Sequence, residues 1–214
     1  MHFVFCSYYT KGVAKTWATF DLETIAWQDG FKLIGGIDEV GRGAVAGPVT
    51  LGLVVLPKTF KEPVVDSKLL SFKQRESKAK IIRELAIICE VEHVESDYID
   101  QYGIIAAQAE AVRRIWSRLV DRPHRIFLDG PYDFTDLDVP VQTIIKGDQI
   151  STSIAAASIV AKCERDSLMR DQALSYPGYG FESNVGYGTA KQLQALKQLG
   201  PTPIHRRSYL KKYL

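Results

Sequence analysis

Four carboxylates carry the strongest chemical signal in the chain. Asp38 and Glu39 are adjacent at the end of a short apolar segment, Asp129 ends the segment 125–129, and Asp148 ends the segment 141–148. Side chains alternate along a strand, so Asp38 and Glu39 face opposite ways unless a bend, here at Gly41, turns both toward one site. A solvated acidic turn also fits that pair taken alone. Four converging carboxylates would raise one another's pKa values, and bound cations make such a cluster tolerable at neutral pH. All-oxygen donors select hard ions such as Mg²⁺ or Mn²⁺ over zinc. Two such ions roughly 4 Å apart clamp the attacking and leaving oxygens of a phosphoryl transfer. The chemistry so implied is that of a metal-dependent nuclease or phosphotransferase.

Gly41-Arg42-Gly43 follows the acidic pair directly. Glycines let backbone N–H groups turn toward an anion at close range, although Gly-x-Gly is also an ordinary hairpin turn. No Gly-Lys-Ser/Thr follows, and no full GxGxxG is present, so a P-loop and a dinucleotide fingerprint are excluded. Gly186-Tyr187-Gly188-Thr189 sets an aromatic between glycines, either stacking on a sugar or base or packing as a core tyrosine at a turn. Asp166 lies four residues from Lys162, the spacing of a helical ion pair. His2, His93 and His124 suggest neither a triad nor a metal site, and His205 sits in a basic tail where it could contact phosphate.

Charge totals are balanced, with 27 basic and 25 acidic residues, but their distribution is not. The tail 205–212 has no acidic residue, whereas 129–138 carries Asp129, Asp133, Asp136 and Asp138 and no base. A basic face beside an acidic pocket suits an enzyme that grips a polyanion and attacks it with cations. Hydrophobic residues at 46% and charged residues at 24% exclude a disordered chain or a collagen-like fibre. The longest apolar stretch, 45–56, is broken by Gly47, Pro48, Thr50 and Gly52 and falls short of a membrane span. No secretory signal is visible, and Cys6, Cys89 and Cys163 fit reduced thiols in a cytoplasmic protein.

These residues need a sheet to position them. Segments 32–40, 45–56 and 87–94 read as three antiparallel strands joined by tight turns. Segments 125–129 and 141–148 read as two more, reached through helical crossovers. Helices are predicted over 71–85, capped by Ser71, and over 104–120, with Ile105, Ala109, Val112, Ile115, Trp116 and Leu119 on the apolar face. A third spans 151–173, whose small residues let it lie close on the sheet. The fold class is α/β, and the working site belongs beyond the carboxyl ends of the strands. With no repeat or linker, residues 1–214 read as one domain, in which about 177–214 form a C-terminal substrate-binding extension.

Taken together the motifs resemble the ribonuclease HII family (type 2 ribonuclease H) over nearly the whole chain after Trp27. The segment 37–49, Ile37-Asp38-Glu39-Val40-Gly41-Arg42-Gly43 onward, is similar to the family's signature. Asp66-Ser67-Lys68-Leu69-Leu70-Ser71, Leu128-Asp129-Gly130, Lys146-Gly147-Asp148, the run 155–162 with Arg165-Asp166, Gly186-Tyr187-Gly188-Thr189 and the run 201–209 follow in the family's order. The resemblance implies a ribonuclease H-like fold, a mixed five-stranded sheet flanked by helices, with a C-terminal helical extension. It implies hydrolysis on the 5′ side of a ribonucleotide, in RNA/DNA hybrids or singly embedded in duplex DNA, leaving 3′-OH and 5′-phosphate ends, with a role in ribonucleotide removal.

Carried over residue by residue, Asp38, Glu39, Asp129 and Asp148 would be the catalytic, metal-binding carboxylates of a two-metal Mg²⁺ or Mn²⁺ site. Gly41, Arg42 and Gly43 would hold the ribonucleotide and read its 2′-OH. Tyr187 would stack on the following deoxyribose, and Lys68 would touch backbone phosphate. A monomer is expected, with no membrane partner. Two departures stand out: Asn184-Val185 replaces the usual His-Lys, and Gln192 replaces a usual histidine, losses of positive charge expected to weaken phosphate contacts. The type 3 sister enzyme needs an extra N-terminal domain, for which the 37 residues before Asp38 leave no room. The rivals are another two-metal nuclease of the same superfold and a module that binds hybrid duplexes without cutting them.

Overall fold

The computed structural model describes residues 17–64, 67, 70–211 and 213, so Cys6, Asp66, Lys68 and Lys212 lie outside the described residues. Five strands form one sheet: β1 (Ile34–Val40), β2 (Val49–Val55), β3 (Ile88–Val94), β4 (Arg125–Asp129) and β5 (Val141–Ile144), in the order β3-β2-β1-β4-β5. The first three pair antiparallel, and β1-β4 and β4-β5 pair parallel. That is the mixed sheet expected, except that β5 follows β4 through the coil 130–140, with no helical crossover between them. β1 is central, covered on both faces, and correspondingly apolar until its last turn of sequence.

Helices cover both faces. α3 (Ser96–Tyr102) and α4 (Ile104–Arg118) lie on one, where Val112 and Ile115 of α4 meet Ile37, Leu51, Leu53 and Leu128. On the other lie α1 (Asp21–Gln28), α2 (Phe72–Leu85) and α5 (Thr152–Ser175), where Ala79 and Ile82 pack with Ala155, Ala156, Ile159 and Val54. The alternation along β2, Leu53 to one core and Val54 to the other, is the two-residue period of a strand with two buried faces. α2 begins at a capping box, the Ser71 hydroxyl accepting from Gln74 N–H and the Gln74 side chain accepting from Ser71 N–H. Ser151 caps α5, its hydroxyl accepting from the Ile154 N–H. The helix crosses so close to the sheet that a Cβ on Gly36 would fall inside contact distance of the Ser153 and Ile154 backbone. The C-terminal extension is helical: α6 (Phe181–Asn184), α7 (Ala190–Leu199) and α8 (Arg207–Leu210).

Several boundaries differ from the sequence reading. β2 starts at Val49, because residues 41–48 leave the sheet as a loop stitched elsewhere. β5 stops at Ile144, and Asp148 sits in a single 3₁₀ turn, Gly147–Gln149, entered through left-handed Lys146 (φ 58°). Ile105 is exposed; the inward face of α4 instead carries Ala107, Gln108, Ala111, Val112, Ile115 and Trp116. α1 and α3, two turns each, are too short to show a helical period.

Candidate active site

The carboxyl ends of β1 and β4 place three acids in one cleft of about 340 Å³. Ile37 pairs with Leu128, so Asp38 and Asp129 are the next residues on adjacent parallel strands, with both side chains on the α5 face. Glu39 points the other way, as strand alternation requires, yet reaches the same cleft because β1 ends one residue later and Gly41 (φ 89°) turns the chain. The wall also holds Gly41, Arg42, Gly43, Ser67, Ser158, Lys162 and Tyr187. Asp148 does not line this wall and is buried. Its charge nonetheless pushes up the pKa of both Asp38 and Asp129.

The electrostatics of the cleft are those of crowded acids. Asp38 is held well above the ordinary carboxylate range by burial first, then by the charges of Asp129 and Glu39. Glu39 is pushed up to about 7 by burial and by Asp129, against the pull of Arg42, whose Nη1 is 3.7 Å from its carboxylate. Burial also raises Asp129, while the Gly147 N–H, donating at 2.6 Å, favours its charged form. Asp38 accepts from the Glu39 N–H at 2.8 Å. Buried Gln108 lies near enough to favour the ionised Glu39, although neither of its polar atoms reaches hydrogen-bond geometry.

The donors fit hard divalent ions: all are carboxylate oxygens, and their mutual repulsion is what such charge would relieve. Among the described residues no three acids, histidines or cysteines close into a cage. Mg²⁺ keeps several waters and takes only one or two carboxylates, so an open arrangement suits it.

Residues 35–212 match the family model described as Ribonuclease HII. The chain belongs to the ribonuclease HII family. It is 46% identical over 191 residues to "Ribonuclease HII" of Leuconostoc mesenteroides subsp. mesenteroides, covering 89% of this chain and 75% of that protein. It is 46% identical over 188 residues to that of Syntrophobacter fumaroxidans, covering 87% and 80%. Among solved structures it is similar to the ribonuclease H2 of Pyrococcus horikoshii, with TM-score 0.69, 25% identity, and 85% of this chain and 96% of that one covered. A ribonuclease HIII described as in complex with Mn²⁺ shares the fold, with TM-score 0.59, 18% identity, and 82% and 65% covered. The chain is thus a ribonuclease H, an endonuclease, and no helix among its described residues is long and apolar enough to cross a membrane.

Within this ribonuclease HII fold two expectations are corrected. His205 is buried, not a phosphate contact: its Nδ1 lies 3.0 Å from the Thr202 N–H, and its Nε2 lies 2.9 Å from the Gln192 side chain. Gln192 and Asn184 are buried with it, Asn184 donating to Tyr179 O and accepting from Gly186 N–H. Exchanging the usual charged residues there therefore alters an interior network rather than a nucleic-acid face. The Lys162–Asp166 ion pair forms as expected, at 2.7 Å, and Lys162 also lines the cleft beside Tyr187. Sequence reading missed Ser158 and Gln108; a lone glutamine among apolar neighbours on α4 was the one available signal for the latter.

Proposed function

We propose that this ribonuclease HII hydrolyses the phosphodiester on the 5′ side of a ribonucleotide, in RNA/DNA hybrids and singly embedded in duplex DNA, and serves ribonucleotide removal from DNA. The observation that carries the reading is one cleft holding Asp38, Glu39 and Asp129 together with the Gly41-Arg42-Gly43 loop and Tyr187. A bare binding module would gain nothing from carboxylates that repel a phosphate backbone.

Asp38, Glu39, Asp129 and Asp148 would hold two Mg²⁺ or Mn²⁺ ions, which supply activation of water and stabilisation of the leaving 3′ oxygen. Water adds to phosphorus and the P–O3′ bond breaks, leaving a 3′-OH upstream and a 5′-phosphate on the ribonucleotide. The 41–43 loop lines the same cleft as the carboxylates, and its backbone groups would read a 2′-OH, which is both donor and acceptor. Arg42, half exposed, offers charge to the backbone. Tyr187 offers a face for the following deoxyribose, and Lys68 a charge for a phosphate. The enzyme acts as a monomer in the cytoplasm.

An end-labelled duplex with one internal ribonucleotide, incubated with Mg²⁺, Mn²⁺ or EDTA, tests this. A metal-dependent nick just 5′ of the ribonucleotide, absent on all-DNA duplex, is the expected result. Binding in EDTA with no cleavage in either metal would favour the module that binds without cutting.

A further inference from the structure

Among the described residues, the two largest side chains wholly out of solvent are both arginines, Arg165 on α5 and Arg206 just before α8. A buried cation costs several kcal/mol unless it is paired. The nearby carboxylate of Asp166 is taken by Lys162 and Arg75 instead. Both guanidiniums donate to backbone carbonyls. Arg165 reaches Pro48 O at 2.9 Å, Ala46 O at 3.1 Å and Val185 O at 2.8 Å. Arg206 reaches Gly47 O and Arg42 O, each at 3.0 Å.

All five carbonyls belong to the two segments that carry the Gly-Arg-Gly loop and Tyr187. The segments are also tied to each other, Val45 and Ala46 N–H groups donating to Gly186 O at 2.8 and 3.1 Å. The fit is tight: a Cβ on Gly41 would collide with the Arg165 guanidinium, and one on Gly186 with Ala46 O. Val185 is held in the left-handed region (φ 43°), a conformation a β-branched residue adopts only when its surroundings impose it. Its carbonyl is one of the three that Arg165 grips. The Tyr187 ring lies 5.4 Å from the same guanidinium. Asp38 and Asp129, by contrast, are set by β1, β4 and the Gly147 N–H, and the hydrogen bonds of the two arginines go to the 42–48 and 185 carbonyls instead.

We propose that Arg165 and Arg206 are paired positioning residues that lock the Gly41–Gly43 loop and Tyr187 into one unit above the carboxylates, so that preference for a single embedded ribonucleotide depends on them more than hydrolysis itself does. This rests on the function proposed above. Lysine keeps the charge, but its compact ammonium lacks the planar guanidinium that spans these separated carbonyls, so Arg165→Lys and Arg206→Lys separate positioning from charge.

Wild type and both variants are assayed in Mg²⁺ on a duplex with one ribonucleotide and on a long RNA/DNA hybrid, with folding followed by circular dichroism. The expected kcat/KM falls about 10²-fold on the first substrate and less than about tenfold on the second, since small misplacements of recognition groups cost that much. An equal fall on both substrates, or none, overturns the proposal, as does failure of both variants to fold. Wild type that cuts neither duplex overturns the functional reading and, with it, this one; wild type that cuts while the variants keep its preference overturns this one alone.

Discussion

Asp38 and Asp129 stand side by side on neighbouring parallel strands, each one residue beyond the Ile37–Leu128 pair and both on the α5 face. Parallel neighbours are about 4.8 Å apart, so the arrangement puts two carboxylates where their charges repel. The fold maintains it because the strands are buried and their register is fixed by the cores on either side.

Asp38→Asn should therefore abolish turnover while duplex binding survives. The same substitution relieves repulsion and should raise the thermal midpoint in EDTA by about 2–4 °C for each kcal/mol relieved. Added Mg²⁺ should raise the midpoint of the wild type and not that of the variant. Calorimetry with and without EDTA reads both; activity retained by Asp38→Asn in Mg²⁺ would refute the metal-site assignment.

Tyr187 lines the acidic cleft, its ring near Lys162 and Arg165. Tyr187→Ala should cost about 1–3 kcal/mol of binding where the ring stacks on a sugar or base, chiefly on a duplex with a single ribonucleotide. Long hybrids should still be cut. Equal loss on the two substrates in steady-state kinetics would remove the junction-reading role.

Gly36→Ala is a test of the fold rather than the chemistry. The added methyl meets the backbone of Ser153 and Ile154, which no side-chain movement can clear. Overpacking of this kind costs about 1–3 kcal/mol or more, and here it would also drive α5 away from β1. A urea midpoint unchanged from wild type would contradict the close helix–sheet approach.

The residues at strand ends were legible because apolar runs that stop at an aspartate declare both the strand and its polar end. Asp38 and Asp129 needed only the parallel register to meet. Asp148 was harder: its run of apolar residues suggested a strand to the end, whereas left-handed Lys146 breaks it and a 3₁₀ turn carries the acid. The interior polar network was not legible at all. Arg165, Arg206, His205 and Gln192 look like surface residues by type, and only the tertiary paths of 41–48 and 184–206 bury them. A basic tail is defined by composition, but which of its residues face inward depends on contacts far away in sequence.

His205 carries the last prediction. Burial, aided by the charge of Arg207, holds its pKa down to about 4. Nδ1 lies within hydrogen-bond distance of the Thr202 N–H and cannot take a proton without losing that bond. The folded pKa lies below the unfolded value of 6.5, so between those values the unfolded chain binds more protons and stability rises with pH. The contribution is whole above about pH 6.5 and is lost as pH falls toward 4, an amount on the order of 3 kcal/mol at 1.36 kcal/mol per unit. His205→Gln removes the titrating group, so its unfolding free energy should vary less over this range than that of the wild type. Urea titrations at pH 4.5, 5.5 and 7 would measure the two slopes; parallel slopes would mean that His205 is not buried in its neutral form.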